Sequence, residues 1–113
     1  MAPSRINTTT TKALILAILS KRTESYGYEI IQLVAQLSDG AFQWKDGMLY
    51  PVLHGMQKDK LIRSKWRVAE NGRRRKYYSI TDRGLVVLGE MKTHWELVNS
   101  TMTKAWNLKL RLT

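Results

Sequence analysis

The stretch GMLYPVLHGMQKDKLIRSKWRVAENGRRRKYYSIT, residues 47 to 81, changes from a helical apolar spacing to a two-residue alternation. Its first part places apolar side chains on one stripe, at Leu49, Val52, Leu53 and Met56. This spacing predicts a third helix over about 47 to 59, with Asp46 or Gly47 as its N-cap. Pro51 is tolerable near the first turn of such a helix, whereas Gly55 weakens it by about 1 kcal/mol relative to alanine.

From Leu61 the alternation of side chains predicts a strand. One face carries Ile62, Ser64, Trp66 and Val68, and the other carries Arg63, Lys65 and Arg67. The triplet ENG at 70 to 72 predicts a turn, and a second alternating run follows at 75 to 80. We therefore expect a hairpin whose second strand is anchored in the core by Tyr78 and Ile80, with Trp66 also packed in the core.

Two further helices are predicted before this stretch. The run ALILAILS at 13 to 20 is apolar nearly all round, which predicts a first helix, about 11 to 20, buried on more than one side. The segment that follows predicts a second helix with Ser25 as its N-cap and the triplet SDG as its stop. Its apolar residues at helical spacing are Ile30, Leu33, Val34 and Leu37.

A long helix is predicted after the hairpin, with Thr81 as N-cap, Asp82 in its first turn and an end near Leu108. Spacings of three and four residues form an a/d seam at Leu88, Met91, Trp95, Val98, Met102 and Ala105. The seam is either a core stripe of the same domain or a dimer interface. Dimerisation is favoured because a helix of about 27 residues extends roughly 40 Å, which exceeds what so small a body covers.

The predicted order of elements is helix, helix, helix, hairpin and long helix, a mainly α fold with a small β-hairpin. Three helices followed by a basic hairpin form the winged helix-turn-helix arrangement, in which one helix enters the DNA major groove and the hairpin reaches the adjacent backbone. We expect residues 1–80 to be this DNA-binding domain and residues 81–113 the C-terminal dimerisation helix, within one compact unit.

The charge of the chain favours a polyanionic partner. Its 113 residues contain 19 Lys and Arg against 9 Asp and Glu, a formal net charge of +10. Residues 46 to 80 hold nine of the cations and three of the acids, so the excess lies on the third helix and the hairpin.

Other classes of function find no support in the sequence. Cysteine is absent, and His54 and His94 have no carboxylate or thiol at ligand spacing. We therefore expect no enzyme activity, no metal site and no cofactor. The longest apolar run is too short to span a membrane and lacks a cleavage site, which predicts a cytoplasmic protein without a membrane partner.

The candidate DNA-binding residues point away from the predicted core. On the third helix they are Met48, Tyr50, Pro51, His54 and Lys58, and on the hairpin they are Arg73, Arg74, Arg75 and Lys76. Base or phosphate contacts suit these side chains. The alternatives are that the Tyr50 ring caps the core, that His54 is solvated, and that the cationic run is a solvated surface or a localisation signal.

Two tryptophans of the long helix, Trp95 and Trp106, are candidate ligand-binding residues. They could line an apolar slot between two subunits into which a flat molecule stacks. The alternative is ordinary packing, which is favoured for Trp106, while both interpretations stay open for Trp95.

The chain resembles the PadR family of bacterial transcriptional regulators from about Leu14 to Leu88. The resemblance rests on four motifs in the family's order and spacing: YGYEI at 26 to 30, GMLYPVLHGMQKDKLI at 47 to 62, Trp66, and GRRRKYYSIT at 72 to 81. The chain departs from the family pattern at Gly55, Met56 and Gln57, where the family usually reads Arg-Leu-Glu, and at Lys60, where the third helix usually ends in a glycine. With one helix after the hairpin, which is the wing of the winged helix, the chain looks like the short-tailed subclass.

The resemblance implies a winged-helix homodimer that binds double-stranded DNA at a palindromic operator and represses transcription. Some members of the family bind aromatic or cationic compounds between their subunits through tryptophans of the C-terminal helix, and Trp95 has a compatible position. Two other hypotheses remain: a sequence-nonspecific RNA-binding or nucleoid protein that uses the same charge, and a protein-interaction module built on the long helix.

Overall fold

The computed structural model describes residues 6–109, which form four helices and three strands. In chain order these are α1 (Thr8–Lys21), β1 (Ser25–Tyr26), α2 (Gly27–Leu37), α3 (Asp46–Lys58), β2 (Ile62–Val68), β3 (Arg74–Ile80) and α4 (Asp82–Trp106). The predicted winged-helix architecture with a long last helix is confirmed. The predicted ranges 1–80 and 81–113 also include residues 1–5 and 110–113, which lie outside the described residues.

The first three helices enclose the core with the base of the sheet. The fully buried apolar side chains are Ile15, Leu16 and Leu19 of α1, Ile30 and Val34 of α2, Leu49, Leu53 and Met56 of α3, and Ile62 of β2. Leu37, the last residue of α2, is exposed, so the predicted apolar stripe of this helix is not buried at its end. Helix α1 begins at Thr8, earlier than predicted, because Asn7 Oδ1 accepts a hydrogen bond from the Thr10 N–H at 2.8 Å.

The hairpin belongs to a three-stranded antiparallel sheet with the strand order β1-β3-β2. The prediction that Ser25 caps α2 is wrong, because Ser25 lies in β1, where it pairs with Tyr78, and the N-cap is Tyr26. The buried Ser25 hydroxyl instead donates a 2.5 Å hydrogen bond to the Glu29 carboxylate. Sheet pairing thus ties the start of α2 to the wing.

Both ends of α3 differ in detail from the prediction. The N-cap is Lys45, so neither Asp46 nor Gly47 caps the helix, and Asp46 lies in the first turn, where a carboxylate favours the helix dipole. After the helix, Lys60 adopts a φ of 63° and the Leu61 N–H donates to the Met56 carbonyl at 3.0 Å. This is a Schellman-type termination in which lysine takes the left-handed position that glycine usually holds.

The hairpin extends well beyond the core. Its turn is closed by Gly72 at a φ of 82° and by a 2.7 Å hydrogen bond from the Ala69 N–H to the Arg73 carbonyl. Tyr78 is buried as expected, but Trp66 is 57% exposed. The prediction of a core position for Trp66 is therefore wrong. Trp66 faces the same side of the sheet as Ile62, but this part of β2 lies past the last layer of core side chains.

Helix α4 begins where α3, the wing and the sheet meet. The Thr81 hydroxyl accepts a 3.0 Å hydrogen bond from the Gly84 N–H, so the predicted cap is confirmed. The helix ends at Trp106, two residues before the predicted end. Within residues 6–109, no helix has the length and apolar character that a membrane span requires.

Candidate nucleic-acid interface

Packing of α3 decides which of its side chains face outward. Leu49, Leu53 and Met56 are completely buried, which fixes the rotation of the helix about its axis. The opposite side is exposed and carries Met48, Tyr50, Pro51, His54 and Lys58. All five candidate residues of this helix are thus accessible to a large ligand.

Tyr50 is 42% exposed and rests on the first turn of α2. Its ring occupies the space above Gly27, where a side chain would collide with it. Burial of part of the ring raises the pKa of the Tyr50 hydroxyl, and the nearby Asp46 carboxylate raises it further. The hydroxyl is therefore a neutral donor at physiological pH.

The cationic side chains of the wing lie against aromatic rings. The guanidinium carbon of Arg74 is 5.2 Å from the centre of the Trp66 ring, and that of Arg75 is 4.4 Å from the centre of the Tyr26 ring. The Lys76 Nζ is 5.8 Å from the Tyr78 ring. Each such contact contributes about 0.5–1 kcal/mol at an exposed site and restricts the long side chain. Less conformational entropy is therefore lost when the side chain binds an anion.

Ion pairs leave this cationic group unneutralised. Among residues 6–109 the ion pairs are Arg22 with Glu29 and Arg67 with Glu24, at 3.1 and 2.5 Å. The second pair holds the C-terminal end of β2 against the chain that leads into β1. Within the described part of the chain, the run from Arg73 to Lys76 has no acidic partner.

The exposed face of α3 and the wing share one open groove of about 760 Å³. Of the candidate residues, the groove is lined by Tyr50, His54, Arg73, Arg74, Arg75 and Lys76. Met48, Pro51 and Lys58 are exposed on the same helix but do not line it. The fold therefore brings the cations of the wing beside the middle of α3.

Four aromatic residues that were not among the predicted DNA contacts also line this groove: Tyr26, Tyr28, Trp66 and Tyr78. The motif YGYEI was visible, but nothing local indicates that its tyrosines face the wing, because their position depends on the pairing of β1 with β3. For Trp66, its own alternation with three cations was the available signal.

The a/d seam of α4 divides into two parts. Leu88 and Met91 pack against the core of their own domain, whereas Trp95 is 50% exposed and Met102 and Ala105 are also exposed. Val98 is half-buried. Packing within the chain thus accounts for the first two residues of the seam but not for the rest.

A second groove, of about 920 Å³, lies between α1 and α4 and is mainly apolar. Its lining includes Leu14, Phe42, Leu88, Met91 and Trp95. Trp106 is 75% exposed and does not line this groove, so in the single chain it is not packed. The two candidate ligand-binding tryptophans are therefore not brought together within one chain.

No clustered metal ligands are found in the described part of the chain. Groups of three or more His, Cys, Asp or Glu residues that could hold an ion do not occur in residues 6–109. The features that the structure concentrates in one place are cations, aromatic rings and an exposed helix face.

Comparison with known proteins agrees with this architecture. The family described as "Transcriptional regulator PadR-like family" matches residues 15–90. An uncharacterised protein of Lysinibacillus sphaericus is 32% identical over 83 residues, which are 74% of this chain and 75% of that protein. Transcriptional regulator YqjI of Escherichia coli is 33% identical over 87 residues, which are 77% of this chain but only 40% of YqjI.

Solved structures extend the similarity to nearly the whole chain. A PadR-like transcriptional regulator of Bacillus cereus has a TM-score of 0.78 at 35% identity, and the match covers 89% of this chain and 95% of that one. A protein of Streptococcus mutans has a TM-score of 0.81 at 30% identity, with coverage of 97% and 98%. The chain thus belongs to the PadR-like family of transcriptional regulators, winged-helix proteins that bind DNA.

Proposed function

We propose that this protein is a homodimeric repressor that binds a palindromic operator in double-stranded DNA. The observation that carries the proposal is the groove in which Tyr50 and His54 of α3 lie beside the stacked cations of the wing. An exposed helix face supplies readout of bases, and the adjoining cations supply affinity for the backbone. Under this proposal residues 1–80 are the DNA-binding domain and residues 81–113 the dimerisation helix.

Helix α3 has suitable dimensions for the major groove. Its 13 residues extend about 20 Å, and a single helix fits a groove about 12 Å wide. Tyr50 and His54 are one turn apart and offer hydrogen-bonding groups to base edges, while Met48 and Pro51 offer apolar contact to thymine methyl groups. Lys58, in the last turn, suits a phosphate.

The wing contributes the sequence-independent part of the affinity. The cations that follow the turn of the hairpin line the groove beside α3; they are Arg73, Arg74, Arg75 and Lys76. Cations that replace counterions on phosphates make binding strongly dependent on salt. The logarithm of the binding constant falls with the logarithm of the salt concentration, and each phosphate contact adds about 0.9 to the magnitude of this salt slope.

Dimerisation accounts for the exposed part of α4. The 25 residues of this helix extend about 37 Å, and the large apolar side chains of Trp95, Met102 and Trp106 in its second half are exposed, so its own domain does not cover this part of α4. The apolar groove between α1 and α4, which Trp95 lines, and the exposed Met102 further along α4 suit the same surface of a second copy. Two α3 helices held one DNA turn apart, about 34 Å, would read half-sites spaced by 10 base pairs or a multiple of it.

The same groove is the proposed site of an effector. Trp95 lies at its edge, where an aromatic or cationic molecule could stack on the indole. Occupation of the groove would alter how two copies of α4 pack and so change the spacing of the α3 helices. Trp106 would take part only if the partner's helix brings it to the groove.

The test is a footprint on the intergenic region upstream of the gene, followed by titrations of the protected duplex and of a scrambled duplex at several salt concentrations. We expect a protected palindrome and at least 1,000-fold tighter binding to it than to the scrambled duplex, at the low end of the range for specific regulators. Arg74→Ala should lower the salt slope by about one, and Lys104→Ala, at the far end of α4, should leave it unchanged.

Equal affinity for the two duplexes would refute the operator proposal. It would favour the alternative of a sequence-nonspecific nucleic-acid-binding protein, which the stacked cations of the wing would serve equally well. Absence of any DNA binding at physiological salt would refute both and leave a protein-interaction role for α4.

A further inference from the structure

We propose that Tyr26 and Gly27, at the junction of β1 and α2, are positioning residues for the DNA contacts of Arg75 and Tyr50. The inference rests on the proposed function and adds to it a short segment outside both α3 and the wing. All four residues line the same groove. The junction of β1 and α2 would thereby set the geometry of both DNA-binding elements at once.

Tyr26 holds Arg75 through a stacked contact. Its position is fixed by pairing with Tyr77 across the edge of the sheet and by an edge-to-face contact of the two rings, whose centres are 5.4 Å apart. The Arg75 guanidinium lies 4.4 Å from the centre of the Tyr26 ring, the shortest of the cation–ring contacts in residues 6–109. The guanidinium is therefore directed to one place before DNA arrives, while its N–H groups remain free for phosphate.

Gly27 leaves the space that the Tyr50 ring occupies. A Cβ atom built on Gly27 would lie 2.5 Å from Tyr50 Oη and 2.8 Å from Cζ, closer than real atoms approach. The colliding atoms belong to the end of a flexible side chain rather than to backbone. Alanine at this position would consequently turn the Tyr50 ring away from α2 without requiring the helices to separate.

The junction is itself well anchored, which positioning requires. Ser25 is completely buried, pairs with Tyr78 and donates a hydrogen bond to Glu29 in the first turn of α2. On the other side, Glu24 forms an ion pair with Arg67 of β2. Tyr26 and Gly27, which directly follow these anchors, thus have a fixed relation to the wing.

Two double-mutant cycles test the inference, with fluorescence anisotropy on the duplex protected in the footprint. Tyr26→Leu should weaken binding about threefold in the native background and have no effect in an Arg75→Ala background. Tyr26→Phe keeps the ring and should bind as the native protein does. Gly27→Ala should weaken binding about tenfold when Tyr50 is present and have no effect in a Tyr50→Ala background.

Controls separate positioning from general damage. Gly89→Ala introduces the same methyl group on α4, where open space surrounds it, and should leave DNA affinity unchanged. Thermal unfolding of the Tyr26 and Gly27 variants should give midpoints close to that of the native protein. If Gly27→Ala fails to fold, the Tyr50 ring does not yield and the role of Gly27 is refuted, while the Tyr26 cycle still decides the role of that residue.

The outcomes distinguish this inference from the proposed function. If Arg75→Ala and Tyr50→Ala weaken binding but Tyr26→Leu and Gly27→Ala have the same effects in both backgrounds, positioning is overturned and the DNA interface stands. If the native protein binds no DNA, both the proposed function and this inference are overturned.

Discussion

Replacing Gly84 with alanine should destabilise the protein, although alanine is the better helix former. Gly84 is buried in the first turn of α4. A Cβ atom there would collide with the Leu61 carbonyl oxygen and would lie 2.7 Å from Ile80 Cγ1. The first of these atoms is backbone and cannot rotate away, so α4 has to shift relative to the end of α3 and the start of β2.

The magnitude follows from three contributions. Overpacking at a buried site costs about 1–3 kcal/mol. The Leu61 carbonyl also accepts the Thr81 N–H at 3.1 Å, and the loss of that hydrogen bond costs about 1 kcal/mol. Alanine gains back about 1 kcal/mol of helix propensity, so the free energy of unfolding should fall by roughly 1–3 kcal/mol.

Thermal unfolding at one fixed protein concentration measures this effect. For a chain of this length, 1 kcal/mol corresponds to about 4 °C, so the midpoint should fall by about 4–12 °C. The matched control is Gly89→Ala in the same helix, where nothing lies near the added methyl group. It should raise the midpoint by about 2–4 °C. Equal midpoints for the two variants would refute the packing argument.

Three further predictions concern other parts of the molecule. Lys60→Gly should raise the free energy of unfolding by about 1 kcal/mol in urea titrations, because glycine adopts the left-handed backbone of this residue without strain; an unchanged midpoint would contradict this. Trp95→Glu should yield monomers in sedimentation, whereas Leu97→Glu, whose side chain is 64% exposed outside the seam, should stay dimeric; a dimeric Trp95 variant would disprove the seam. Burial, aided by the nearby Tyr50, raises the pKa of Tyr78 above its ordinary value of 10.0, so the folded state holds this proton more tightly than the unfolded state. Its contribution to stability is therefore full below about pH 10 and is lost as the pH rises through the raised pKa. The urea midpoint of Tyr78→Phe should fall less between pH 8 and pH 11 than that of the native protein, and equal falls would count against the argument.

The elements of the winged helix could be predicted because their signals are local. Helix α3 follows from the spacing of Leu49, Leu53 and Met56, and the hairpin follows from alternation on both sides of a turn that contains Gly72. These features involve residues a few positions apart, so they are visible without any knowledge of the rest of the fold. The family resemblance rests on the same local motifs.

Strand β1 and the exposure of Trp66 could not be predicted. A strand of two residues has no periodicity, and it exists only because β3 offers its edge to Ser25 and Tyr26. Trp66 alternates like a core residue, but burial depends on how far the hairpin extends past the last layer of the core. Both properties belong to the packing of distant segments.

For the proposed DNA interface, the sequence by itself determined the kinds of side chain and the elements that carry them. Spacing determined that α3 exposes Tyr50 and His54, and charge determined that the run from Arg73 to Lys76 attracts a polyanion. Only the tertiary structure decided that these groups share a groove and that Tyr26 and Gly27 adjoin two of them. The physical reason is that the direction of a long side chain depends on the atoms packed against it, and here those atoms come from segments about 23 to 49 residues apart in the chain.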